Sequence, residues 1–135
     1  MSLATWMKEF YPKEASEVKG RAAAMRHSLR KWIGLLPSHM RKHGITKDNR
    51  TVWCGELAFD IDDYSCALCC LFYGFHGCDE CPLTEILGER CDSGSESPYS
   101  VWISTGNPKP MIAALRKAMK KYGVKELKRG KKAKA

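Results

Sequence analysis

Six of the seven cysteines lie between positions 66 and 91. Four of them, Cys66, Cys69, Cys78 and Cys81, form a C-x2-C-x8-C-x2-C array. Two thiolates separated by two residues reach one ion from a single turn, and a second such pair completes a tetrahedral shell. The chemistry expected of these four is ligation of zinc. Four sulfurs close the shell and leave no position for a substrate, so the expected role is structural. The eight-residue spacer is shorter than in most zinc ribbons. Cys91 in place of Cys66, Cys70 in place of Cys69, and His76 are alternative donors. An iron–sulfur cluster, disulfides, or reduced thiols packed as small apolar residues are alternative states.

Other candidate groups are weaker. His39 and His43 stand four apart, on one face of a short helix, but lack the glutamate of the metalloprotease pattern H-E-x-x-H. Glu56, Asp60, Asp62 and Asp63 suggest a divalent-metal nuclease, although exposure on alternate strand positions explains Asp60 and Asp62 more simply. Cys54 follows Trp53 in a strand pattern and reads as core. There is no phosphate-binding glycine loop, nucleophile elbow or dinucleotide fingerprint.

Helices must position most of these groups. Trp6 to Pro12 reads as a short helical turn stopped by the proline. The strongest pattern runs from Ala15 to Leu35, where Met25, Leu29, Trp32, Ile33 and Leu36 recur at helical spacing. Arg26 and Arg30 occupy another face, with His27 and Lys31 beside them. A second helix is expected over Ser38 to His43, stopped by Gly44, and a turn over Lys47 to Arg50. Thr51–Cys54 and Glu56–Ile61 read as strands, with Leu57, Phe59 and Ile61 turned inward.

The cysteine segment opens with a helix over Ser65 to Tyr73, which places Cys66, Cys69 and Cys70 on one face. Gly74 and Gly77 then allow a reversal. Cys81 precedes Pro82, a residue favoured at the first helical position, so Cys81 caps a helix ending at Gly88. The helix dipole there favours the thiolate. Ser97-Pro98 and Asn107-Pro108 repeat the device for helices ending at Gly106 and near Tyr122. Met111, Ile112, Leu115 and Met119 form the apolar stripe of the last one.

A chain of 135 residues is expected to form one domain that buries roughly two-thirds of its unfolded surface. It has no apolar run long enough for a transmembrane helix and no secretory pattern at its start, which implies a cytosolic chain. Clustered cysteines in that compartment more often bind metal than form disulfides.

The net charge of +8 is segregated. Residues 1–53 hold 11 basic and 4 acidic groups, residues 54–96 hold 1 and 10, and residues 97–135 hold 11 and 1. An acidic centre thus separates two basic ends, a pattern suited to an anionic partner. The expected nucleic-acid contacts are Arg26 and Arg30 from the first basic end. Arg116, Lys117, Lys120, Lys121, Lys128 and Arg129 are those expected from the second.

Several segments together resemble small uncharacterised cysteine-rich proteins encoded by bacteriophages and prophages. They are Trp6–Pro12, His27–Leu35, Cys66-Ala67-Leu68-Cys69, Cys78-Asp79-Glu80-Cys81-Pro82-Leu83, Ser97-Pro98-Tyr99 and Pro110-Met111-Ile112. The resemblance implies the host bacterial cytoplasm and a host enzyme or nucleic acid as partner. It carries no activity and no catalytic residues.

The expected fold is mostly α with a small β element. Residues 1–123 form one zinc-stabilised domain and residues 124–135 a basic mobile tail. The expected function is a non-enzymatic phage accessory protein that binds nucleic acid or a host nucleic-acid-processing protein. The alternatives are a protein inhibitor acting through its acidic middle, and a metal-dependent nuclease. No membrane and no small-molecule substrate is expected.

Overall fold

The computed structural model describes residues 2–62, 65–76, 81–88, 90–91 and 94–126. The chain folds as helices around a long central one, with a three-stranded sheet at one side. Helix α1 (Leu3–Phe10) starts at a reciprocal cap. The Ser2 hydroxyl accepts from the Thr5 N–H, and the Thr5 hydroxyl accepts from the Ser2 N–H. Its Leu3, Trp6 and Phe10 are buried.

The helix expected over Ala15 to Leu35 is divided. A single 3-10 turn, Ala15–Glu17, is followed by extended Val18, and α2 then spans Arg21–Gly34. Two features impose the break. The Ala15 N–H donates to the Tyr11 hydroxyl at 3.0 Å, which ties the turn to the end of α1. Gly20 has φ +88°, a conformation open to glycine and costly to other residues.

Helix α2 is enclosed on more than one side. Met25, Leu29 and Trp32 of the expected stripe are buried, but so are Ala24, Ser28 and Lys31. It packs against α1, against α3 (Pro37–Lys42), against α4 (Ala67–His76), and against α7 (Lys109–Lys121). Between α4 and α7 come α5 (Pro82–Leu87) and α6 (Pro98–Thr105), and both pack on α7. Their starts follow the sequence logic, with Cys81 and Ser97 as caps and a proline next. All four named stripe residues of α7 are buried.

At the end of α2 the packing is close. The Trp6 indole N–H donates to the Gly34 carbonyl at 2.8 Å. A Cβ at position 34 would run into the Phe10 ring and lie 2.6 Å from Phe10 Cβ. Phe10 is 1% exposed and has little room to yield. Gly34→Ala is therefore expected to lower stability by about 1–3 kcal/mol. The measurement is a urea titration, in which the midpoint falls and the slope is kept. An unchanged midpoint would contradict this packing.

The sheet is an antiparallel meander of β1 (Thr46–Asp48), β2 (Thr51–Cys54) and β3 (Leu57–Asp60). β1 replaces much of the turn expected at 47–50. Lys47 pairs with Val52, Asp48 pairs with Thr51, and the turn shrinks to Asn49-Arg50 with Asn49 at φ +59°. Thr46-Lys47-Asp48 has no apolar alternation, so pairing with β2 rather than burial makes it a strand. Phe59 of β3 and Ile61 just after it turn inward as expected, but Leu57 is 61% exposed. Leu57 pairs with Cys54 at the hairpin end, beyond the helices that cover the rest. Phe59 packs on Trp6 and Tyr11, and the Lys47 ammonium donates to the Ile103 carbonyl, so α1 and α6 both grip the sheet. Among the described residues, no helix is long and apolar enough to cross a membrane.

Candidate metal centre and basic face

Cys66 sits immediately before α4, and Cys69 lies in its first turn. Their spacing therefore brings both to one side of the helix start. Both line a small cavity of about 40 Å³, together with Cys91, Lys31, Trp32 and Tyr99. Cys70, one position further round α4, is exposed and lies near Tyr11 instead. Cys81 is buried as the cap of α5. Cys78 lies outside the described residues, as does the side chain of His76. Among the described residues, no group of three or more potential metal donors is gathered.

The electrostatics around Cys66 favour a thiolate. Hydrogen bonding from the Cys69 thiol holds Cys66 well below the ordinary thiol range, against the opposing effect of burial. The Lys31 ammonium and the Ser28 hydroxyl, 3.4 Å from the sulfur, push the same way. Lys31 is 1% exposed and donates to the Ser65 carbonyl at 3.0 Å. An ammonium so deeply buried needs a counter-charge, and the Cys66 sulfur supplies one. A donor set of thiolates beside a buried cation fits a metal whose bound sulfurs carry excess negative charge.

Lys31 and Ser28 were not legible as site residues. The sequence pattern grouped Lys31 with Arg30 on a polar face. Ala24, Ser28, Lys31 and Leu35 in fact form a second buried line at offsets of four, three and four. A small, polar and cationic run in phase with a helix was the available signal.

His39 and His43 do not converge on a common point. His39 Nδ1 donates to the Ile33 carbonyl at 2.9 Å. His43 lies between α1 and α3, with Nδ1 2.9 Å from the Thr5 hydroxyl and Nε2 2.9 Å from a Glu9 carboxylate oxygen. The carboxylate favours the imidazolium, but burial outweighs it. With the nearby Lys42 charge, burial holds the His43 pKa below its ordinary 6.5. His27 is lowered too, first by burial. A histidine lowered in this way binds fewer protons folded than unfolded. Its contribution is complete above about pH 6.5 and is lost as the pH falls below that value. The melting temperature is expected to drop between about pH 7 and about pH 5, and His43→Gln is expected to flatten part of that drop. A melting temperature constant across this interval would contradict the assignment.

The acidic candidates are dispersed. Glu56 is exposed at the β2–β3 turn, and Asp60 on β3 accepts from the Thr51 hydroxyl at 2.7 Å. Asp62 is half-buried after the strand, its N–H bonded to the Ser65 hydroxyl. Asp63 lies outside the described residues.

The basic candidates converge in part. Arg26 and Arg30 on α2 and Arg116 on α7 line one cleft of about 700 Å³, joined by Lys13 and Lys19 from the α1–α2 connection. The chain after α7 closes one end of it. Arg26 Nε donates to the Lys125 carbonyl at 2.8 Å, and Arg116 grips the Glu126 carboxylate with two bonds of 2.8 and 3.2 Å. Arg30 Nε donates to the Glu9 carbonyl. Lys117 and Lys120 are exposed on α7, whereas Lys121 pairs with Glu85 at 3.3 Å. Lys128 and Arg129 lie outside the described residues, as does the tail from 127 onward. Lys13 and Lys19, absent from the expected set, carry no local sequence signal; only the return of the connection along α2 places them here.

With the geometry established, comparison with family models, curated proteins and solved structures gives no match.

Proposed function

We propose that the protein is a non-enzymatic binding module that docks nucleic acid on the basic face formed by α2, α7 and the α1–α2 connection. The observation that carries this reading is the meeting of Arg26, Arg30 and Arg116 with Lys13 and Lys19 around one cleft. Lys117 and Lys120 extend the positive surface along α7. Cations from three separate segments in one place suit a run of phosphates, which such contacts bind without reading sequence. The phage-encoded setting implied by the resemblance offers such partners.

In this reading Cys66, Cys69, Cys78 and Cys81 hold one zinc ion that pins the start of α4 to the cap of α5. The support is the thiolate character of Cys66 and the buried Lys31 cation beside it. Zinc there supplies folding energy rather than chemistry on a substrate.

The test is titration of mixed-sequence single- and double-stranded DNA into the wild-type chain and a Lys117→Glu/Lys120→Glu variant. Both lysines are exposed, so the variant is expected to keep its fold and lose about tenfold or more in affinity. Undiminished binding by the variant removes this face as the interface. Recovery of a specific protein from a nuclease-treated lysate, with no nucleic-acid binding, would favour a protein partner instead.

A further inference from the structure

The same cleft has a second character that phosphate contacts do not use. Its cations stand around an apolar floor of Phe10, Val18, Leu29 and Ile33, with Ala23 exposed on the α2 wall. Nucleic-acid backbones need no such floor. Hydrogen-bond acceptors in the lining are few, and its one carboxylate, Glu126, is already held by Arg116. A nucleobase edge would need acceptors as well as donors, so the lining is poorly suited to reading one.

Two buried polar atoms in this lining lack partners. Arg30 Nη1 and His27 Nδ1 are both buried without a hydrogen bond, and His27 as a whole is 9% exposed. Arg30 Nη1 is a donor, whereas His27 Nδ1 is the acceptor nitrogen of an imidazole whose Nε2–H donates to the Lys13 carbonyl. A buried donor left unsatisfied is costly, and native structures rarely leave one without cause. Arg30 is already fixed through its Nε by the Glu9 carbonyl, so its guanidinium is oriented before any ligand arrives. A pre-oriented cation at the edge of an apolar cleft is the arrangement that binds an anionic head and a hydrocarbon body together. The volume of about 700 Å³ is within the range of small-ligand sites.

We infer that this cleft is a binding site for a hydrocarbon-tailed anion, a carboxylate or phosphate ester whose head meets Arg30 and whose tail lies over Phe10, Leu29 and Ile33. The cleft shares Arg30 with the proposed nucleic-acid face, but its apolar floor is a separate requirement. Lys117 and Lys120 take no part in it.

Calorimetric titration with dodecanoate and dodecyl phosphate, below their micelle concentrations, tests it on the full chain. Dodecanol and acetate are the matched probes for tail alone and head alone. One equivalent of dodecanoate or dodecyl phosphate is expected to bind, about tenfold or more tighter than either control, since a charged hydrogen bond contributes that much. Ala23→Trp fills the cleft from an exposed helical position without touching the core, and is expected to abolish binding while the melting temperature holds. Arg30→Gln is expected to weaken dodecanoate and leave dodecanol unchanged. Dodecanol binding as tightly as dodecanoate would overturn the inference, as would full binding by the Ala23→Trp chain. The Lys117→Glu/Lys120→Glu variant should bind dodecanoate normally, so failure of the nucleic-acid reading and failure of this one give different results.

Discussion

Cys66→Ala is expected to cost about 3–5 kcal/mol, because it leaves the buried Lys31 ammonium without its counter-charge. Lys31 cannot escape to water. It is 1% exposed, is bonded to the Ser65 carbonyl, and lies on the enclosed side of α2. Lys31→Met is expected to cost less, since Cys66 can take up a proton when the ammonium is gone. The double variant Cys66→Ala/Lys31→Met should then be more stable than Cys66→Ala alone, which is the signature of a coupled pair. Urea titrations of the four chains in the presence of a chelator measure this coupling without any contribution from metal. Additive costs would show that the two groups do not interact. Metal analysis without chelator separates the further claim. About one zinc per wild-type chain and less than about half in Cys66→Ala is the outcome the four-thiolate site requires.

Trp6→Ala is expected to cost a similar amount, about 3–5 kcal/mol, where α1 meets the end of α2. Trp6 is fully buried, stands 5.9 Å from the Phe10 ring and 6.1 Å from Phe59, and so joins α1, α2 and β3. Its indole N–H also satisfies the Gly34 carbonyl. Alanine removes the ring and strands that carbonyl together. Total stability in domains of this size is about 5–15 kcal/mol, so a large share is at risk from one substitution. Trp6→Phe keeps most of the volume but not the hydrogen bond, and should cost about 1–3 kcal/mol. Thermal unfolding of both variants checks the order. If Trp6→Phe is as damaging as Trp6→Ala, shape rather than burial governs the site.

Helix starts in this chain were legible where one residue type dictates backbone geometry. Cys81-Pro82 and Ser97-Pro98 open helices because proline suits the first position, and Gly88 and Gly106 end them. The stripe on α7 was legible because that helix has a single buried face. α2 was less so, because burial on several sides hides polar Ser28 and Lys31 in its interior. The break before Gly20 depends on a local bond from the Ala15 N–H to the Tyr11 side chain, and β1 depends on its partner strand. Neither leaves a periodic trace. Cys66 and Cys69 were legible as a pair from spacing alone, but the buried cation that adds to the hydrogen bond from Cys69 in favouring the Cys66 thiolate comes from a helix more than thirty residues earlier. The basic cleft has the same origin, since packing of α2 on α7 brings Arg26 and Arg116 to one wall.

The basic face is best tested by the salt dependence of binding. Fluorescence anisotropy of a labelled mixed-sequence oligonucleotide is read at about 50 mM and about 200 mM salt, and docking through several phosphates predicts at least a tenfold weakening across that interval. Absence of binding at the lower salt, or equal affinity at both, would contradict the assignment of α2 and α7 as a nucleic-acid interface.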